Sequence, residues 1–188
     1  MWGKPLLRQA PGRLSAVRPI AYWLCLLNTD QLNALKAWIA AILWLMVISI
    51  ESTAMLSSNN TSRILYPLLH FIFGLNWAHF EQWHFFIRKG GHVVGYAILS
   101  VLFFRAWRAT LPAVRNVKWT PRWATIAILG TAFVASLDEW HQSFIPSRTG
   151  RWQDVALDSG AGIAAQIVIF LWWKSLGKRT ASSRTASA

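Results

Sequence analysis

Four apolar runs of membrane-spanning length organise the chain: Ala37 to about Leu56, Lys89 to about Trp107, Trp123 to about Trp140, and Val155 to Trp173. A helix needs about 20 mainly apolar residues to cross a bilayer, so these runs predict an all-α membrane protein with four transmembrane helices. The stretch between the first two runs follows another pattern. Ile64 to Leu75 is an apolar run of twelve residues broken by Pro67, too short to cross and suited to a re-entrant or interfacial segment. Asn76 to Lys89 then mixes aromatics with His79, Glu81 and His84, as an amphipathic helix at the membrane surface does. With His70, these histidines invite a metal reading, but their irregular spacing among Trp and Phe favours interfacial belt residues.

The flanks are polar. Residues 1–36 form a basic arm in which Pro5, Pro11 and Pro19 interrupt any helix, and 174–188 form a basic tail rich in Ser, Thr and Arg that is expected to be disordered. Residues 37–173 are left as one membrane domain. The apolar stretch Ile20 to Leu27 follows basic residues but is short and lacks a small-residue cleavage site, so it is expected to be retained along the membrane surface.

Composition agrees with the pattern. The 188 residues are 54% apolar, with 13 Trp and a net charge of +12, and the mean hydropathy is +0.33. That much positive charge on a soluble domain would suggest nucleic acid. Here the Lys and Arg fall between apolar spans, so no nucleic-acid partner is expected and the charge carries topology instead. Cys25, the single cysteine, excludes an internal disulfide.

Counting along four spans, one side collects 14 of the 19 Lys and Arg, opposed by Asp30 alone, while the other holds five cations against six acids. The positive-inside rule then places both termini in the cytoplasm and the polar motifs toward the exterior. Glu51, in the outer half of the first span, is either an interfacial residue or a partner for a cation in the bundle.

Those motifs run from Asp138 to Asp158, between the third and fourth spans. If these spans are antiparallel, with a connection centred near Arg148, Asp138 and Asp158 lie at similar depth. Asp138, His141 and Gln142 share one helix face, as do Asp154, Asp158 and Gly162. Lys89, His92, Gly95 and Tyr96 enter the second span from the same side. The apolar part of the third span before Asp138 is short, which places these groups below the headgroups. The expectation is an outward-facing polar pocket built from Lys89, His92, Tyr96, Asp138, Glu139, Gln142, Arg148, Asp154 and Asp158. Polar residues are costly at that depth, so a chain that places many of them there is expected to use them. A metal held by His92, Asp138 and Glu139 lacks regular ligand spacing, and no cofactor is expected.

The segment I-R-K-G-G-H-V-V-G-Y-A-I-L from Ile87, then D-E-W-H-Q-S-F-I-P-S-R from Asp138 and D-V-A-L-D-S-G-A-G from Asp154, resembles the VanZ-like family of small bacterial membrane proteins. The resemblance covers about Trp38 to Leu171. Lys89, His92 and Tyr96 match the first motif. Asp138, Glu139, Gln142, Phe144, Pro146 and Arg148 match the second, and Asp154, Asp158, Gly160 and Gly162 the third. Many relatives carry Glu where Gly95 stands and Gly where Ser147 stands. The resemblance implies a multi-pass protein of the bacterial inner membrane and cell envelope; the family's founding member is linked to low-level resistance to the glycopeptide teicoplanin. It brings no established reaction.

Several functions remain open at this level. The pocket is suited to binding the anionic group of a membrane lipid or lipid-linked envelope precursor, since guanidinium forks pair with phosphate and carboxylate. An enzyme on a lipid-linked substrate would instead use Glu139, Asp138 or His92 as acid or base, with Arg148 or Lys89 stabilising negative charge. Proton or cation transport, and a purely structural ion-pair network, are the other two.

Overall fold

The computed structural model describes residues 28–53, 57–111, 119–146 and 148–185. The basic arm through residue 27, including Cys25, the centre of the basic loop at 112–118, Ser147 and the last three tail residues lie outside them. The described chain is helical, with no strand: α1 (Thr29–Glu51), α2 (Ser58–Phe73), α3 (Trp77–Thr110), α4 (Pro121–Gln142) and α5 (Trp152–Thr185).

Local chemistry explains the boundaries. α1 starts at Thr29, ahead of the expected Ala37, because Asn28 and Gln31 close a capping box. The Gln31 backbone N–H donates to Asn28 Oδ1 at 2.8 Å, and the Asn28 N–H donates back to Gln31 Oε1 at 3.1 Å, so two orphan donors are satisfied. α2 runs through Pro67 and stops at Gly74, whose φ of +65° is the left-handed conformation that ends helices. Asn76 caps α3, and Thr120 followed by Pro121 opens α4. The tail expected to be disordered from Lys174 is helical through Thr185.

The segment expected as a separate interfacial helix, Asn76 to Lys89, is instead continuous with the second span. Gly90 and Gly91 did not break it: a glycine costs a helix interior only about 1 kcal/mol. The extended part is held against α2, where Tyr66 packs edge-on to Trp77 and Phe80, and Thr61 Oγ1 lies 2.9 Å from His84 Nε2. At 34 residues, α3 is about 51 Å long, well beyond a hydrocarbon core of about 30 Å.

α3 packs against each of the other four helices, and α4 also packs against α5. Close approach is allowed by small residues: Ala124, Ala127 and Ala135 of α4 and Ala161 of α5 are all buried, joined by Tyr96, Leu99, Phe103 and Phe104 of α3. Polar groups inside the bundle bond across it. Gln166 Nε2 donates to the Ser100 carbonyl at 3.0 Å and hydroxyl at 2.9 Å, while Ser100 Oγ donates to the Gly162 carbonyl at 3.0 Å. The outside is apolar: Ile42, Leu43, Met46, Val47 and Ile50 of α1 are all exposed, the surface a bilayer covers.

Among the described residues, three helices are long and apolar enough to cross a membrane: Thr29–Glu51, Trp77–Thr110 and Trp152–Leu176. The remaining expected span is a helix too, α4 at 22 residues, but Arg122, Thr131, Ser136, Asp138 and Glu139 make it too polar to count among them.

Candidate functional site

The turn from α4 into α5 determines the site. After Gln142, the chain folds back through Ile145 N–H to the Gln142 carbonyl at 3.1 Å and Arg148 N–H to the Ile145 carbonyl at 2.9 Å. Gly150 then passes so close to the end of α4 that a Cβ there would sit 2.3 Å from the Glu139 carbonyl oxygen. Only glycine fits that approach. It lets the Arg151 N–H donate to Glu139 Oε2 at 2.8 Å, holding a 5% exposed carboxylate at the start of α5.

Arg148 joins this turn to α1. Its guanidinium donates to Gln142 Oε1 at 3.4 Å, to the Thr53 carbonyl at 3.1 Å, and to the Glu51 carbonyl. The last two are at the C-terminal end of α1, where carbonyls lack helical partners and a cation is favoured. Burial lowers the Arg148 pKa from the ordinary arginine value, with Asp138, Glu139 and Glu51 acting in the opposite direction. It stays a cation, since arginine begins so far above neutrality.

Three further pairs cross between helices. Tyr96 OH of α3 donates to Asp138 Oδ2 of α4 at 2.8 Å, and His92 Nδ1 lies 3.4 Å from Asp158 Oδ2 of α5. Asp158 is wholly buried, and its Oδ1 has no hydrogen-bond partner among the described residues. Lys89 forms an ion pair with Asp154. The two imidazole and phenol rings stack at 6.3 Å, so α3 presents adjacent aromatic side chains to carboxylates on two neighbouring helices.

Around these pairs lies an open recess of about 590 Å³. Of the nine residues expected to form one pocket, Lys89, His92, Glu139, Gln142, Arg148 and Asp154 line it. Tyr96 and Asp138 instead line a smaller cavity of about 10 Å³ against Glu51 and Ser52 of α1, and His92 borders both. Asp158 lines neither, lying beneath His92. His141 points away, 3.3 Å from Ser52 Oγ, and Trp140 and Phe144 are exposed and pack edge to face.

The second wall was not expected. Ser58 of α2 and Glu81, His84, Phe85 and Arg88 of α3 face the recess, with Arg151 beside them on the turn. The signal was present: positions 81, 84, 85, 88 and 92 follow helical spacing, one face of a helix continued backwards from His92. Among the described residues, no group of three or more His, Cys, Asp or Glu is arranged to hold a metal ion.

The family described as VanZ/LLP1 matches residues 37–174. The chain belongs to the VanZ/LLP1 family. That match spans α1 from Ala37, all of α2, α3 and α4, and α5 to Lys174, so both walls of the recess lie inside the VanZ/LLP1 region. No curated protein and no solved structure matches the chain.

Proposed function

We propose that the chain is a four-span protein of the bacterial inner membrane, with α4 as the fourth crossing and both termini cytoplasmic. Its recess faces the cell exterior and binds the anionic group of an envelope lipid or glycan precursor. α4 is about 33 Å long, enough to cross, and α3 and α5 cover much of its polar face, so that protein surrounds those groups more than lipid does. A link to glycopeptide (teicoplanin) resistance enters this reading through the family resemblance alone.

The observation that carries the binding reading is unanswered positive charge. Arg88 and Arg151 both line the recess, and among the described residues neither forms an ion pair. Two guanidiniums left without carboxylates in a partly enclosed site suit a phosphate or carboxylate, each taking paired hydrogen bonds. Arg148 is a weaker candidate for direct contact, being engaged at the end of α1.

One observation favours a membrane-embedded acid/base enzyme as a second reading. Asp158 holds the Nδ1 side of His92, leaving the other ring nitrogen without a partner among the described residues. A histidine oriented by a carboxylate is the arrangement of a general base, and Glu139 on the facing helix supplies a second acid or base. His92→Ala is a poor test, because stranding Asp158 would destabilise the fold by about 3–5 kcal/mol.

The deciding experiment is native mass spectrometry of the purified protein for co-purifying anionic lipid or glycolipid. The parent is compared with Arg151→Ala and Glu139→Gln. A species retained by the parent and lost in Arg151→Ala supports binding. The same species retained intact by Glu139→Gln, but recovered cleaved from the parent, moves the enzyme reading ahead. Identical bulk lipid on all three proteins, with unchanged melting, removes both.

A further inference from the structure

The two walls of the recess differ in what lines them. The α4–α5 side contributes polar groups and Pro146, while its exposed Trp140, Phe144 and Trp152 stay outside the lining. The α2–α3 side turns apolar immediately outside the recess: Phe85, which lines it, is 56% exposed, Phe86 is 65% and Ile87 51%, with Trp83, Phe71 and Phe73 also exposed along the hairpin. Arg88 and Lys89 follow directly in sequence, and the Lys89 ammonium lies 6.0 Å from the Phe85 ring centre. Cations at the lip of a recess, adjoining an exposed aromatic face, form an amphipathic surface.

Depth points the same way. Lys89 and Arg105, the cation at the opposite end of α3, are separated by about 24 Å of helix, within a hydrocarbon core of about 30 Å. The remaining core of about 6 Å spans one turn, from Lys89 back to Phe85, so the recess opens at the acyl–headgroup boundary with its cations and its aromatic lip both inside it. Charge narrows the ligand. Arg88, Lys89, Arg148 and Arg151 line the recess against Glu81, Glu139 and Asp154, a formal excess of one positive charge. A phosphodiester carries one negative charge.

We infer that the recess is entered sideways from the membrane and takes a lipid whose head is a phosphodiester of net negative charge, its phosphate at Arg88 and Arg151 and an acyl chain along Phe85 and Phe86. This rests on the reading of the recess as an anion site, and it excludes a soluble headgroup as the natural ligand. The acyl chain contributes by burying the aromatic lip, at about 0.8 kcal/mol per methylene covered.

The test uses the full chain in detergent micelles, with phosphatidylglycerol as the lipid and glycerophosphoglycerol, the same diester without chains, as the soluble probe. Native mass spectrometry reads the bound fraction against phosphatidylcholine. The expected result is retention of phosphatidylglycerol over phosphatidylcholine. Arg88→Ala, and the exposed pair Phe85→Ala with Phe86→Ala, each reduce it about tenfold or more, and the soluble diester binds at least a hundredfold more weakly. Equal binding of soluble diester and lipid, or retention unaffected by the Phe pair, overturns sideways entry while leaving an anion site in place. Failure of both probes, in protein that melts as the parent does, overturns the anion site as well.

Discussion

Small residues around the polar end answer to different constraints, and substitution separates them. At Gly162 a Cβ would lie 3.0 Å from Thr131 Cγ2, tighter than ordinary contact, in the centre of the bundle where α4 and α5 meet. Gly162→Ala is expected to lower stability by about 1–3 kcal/mol, the usual cost of overfilling a packed interior. Thr131→Ser removes the offending methyl and should recover part of the loss in the double variant. Gly95→Ala is the contrast: a Cβ there meets nothing within 4 Å, so helix propensity acts alone and stability should hold or rise by up to about 1 kcal/mol. Thermal unfolding of the four variants in one detergent checks the set; equal losses at Gly162 and Gly95 would remove the packing account. The open space at Gly95 lies in the small cavity with Glu51 and Asp138, and the Gly95 carbonyl accepts a hydrogen bond from Trp44 Nε1 at 2.8 Å.

At the scale of elements, α3 is the member on which the others depend, and it was only half legible. The sequence shows its apolar part from Val93 onward plainly, and Lys89, His92 and Tyr96 on one face. Its first twelve residues read as a separate surface helix because aromatic residues mix there with His79, Glu81 and His84. The structure keeps them helical through burial of Phe80 and His84 against α2, a tertiary effect that local pattern does not carry. One recess wall was missed for that reason. The pairing of Tyr96 with Asp138 and His92 with Asp158 was within reach as shared depth, yet which aromatic meets which carboxylate depends on helix rotation. Rotation is fixed partly by the buried bonds from Gln166 to Ser100, which tie α5 to α3. A double-mutant cycle with Ser100→Ala and Gln166→Leu is expected to give a coupling of about 0.5–2 kcal/mol, the range for hydrogen bonds between membrane helices. The Gln166 bond to the Ser100 carbonyl survives Ser100→Ala, so the cycle isolates the hydroxyl. Additive effects would mean that the hydroxyl bond does not help to set the register.

For the whole molecule, the distribution of charge and the position of the recess make one prediction together. Lys36, Arg105, Arg108, Arg122 and Lys174 fall toward one end of the helices, where Trp38 Nε1 donates to Thr110 Oγ1 at 2.9 Å and Arg108 lies 5.8 Å from the Trp173 ring. The recess, with Glu139, Asp154 and the turn carrying Arg148, is at the other end. Five cations there are offset by six acids, so the retention signal of basic loops is weak on that side and strong on the first. The recess end should therefore face outward, and an envelope ligand requires that it does. In a Cys25→Ser background, Gln153→Cys in the first turn of α5 and Ala109→Cys near the end of α3 place single exposed thiols at opposite ends. Spheroplasts of an expressing bacterium, treated with a membrane-impermeant maleimide, should label Gln153→Cys at once and Ala109→Cys only after lysis. The reverse order would turn the recess toward the cytoplasm and rule out an exterior envelope ligand. Labelling of both sites in intact spheroplasts would mean that α4, the helix between Ala109 and Gln153, does not cross, and the four-span arrangement would be lost.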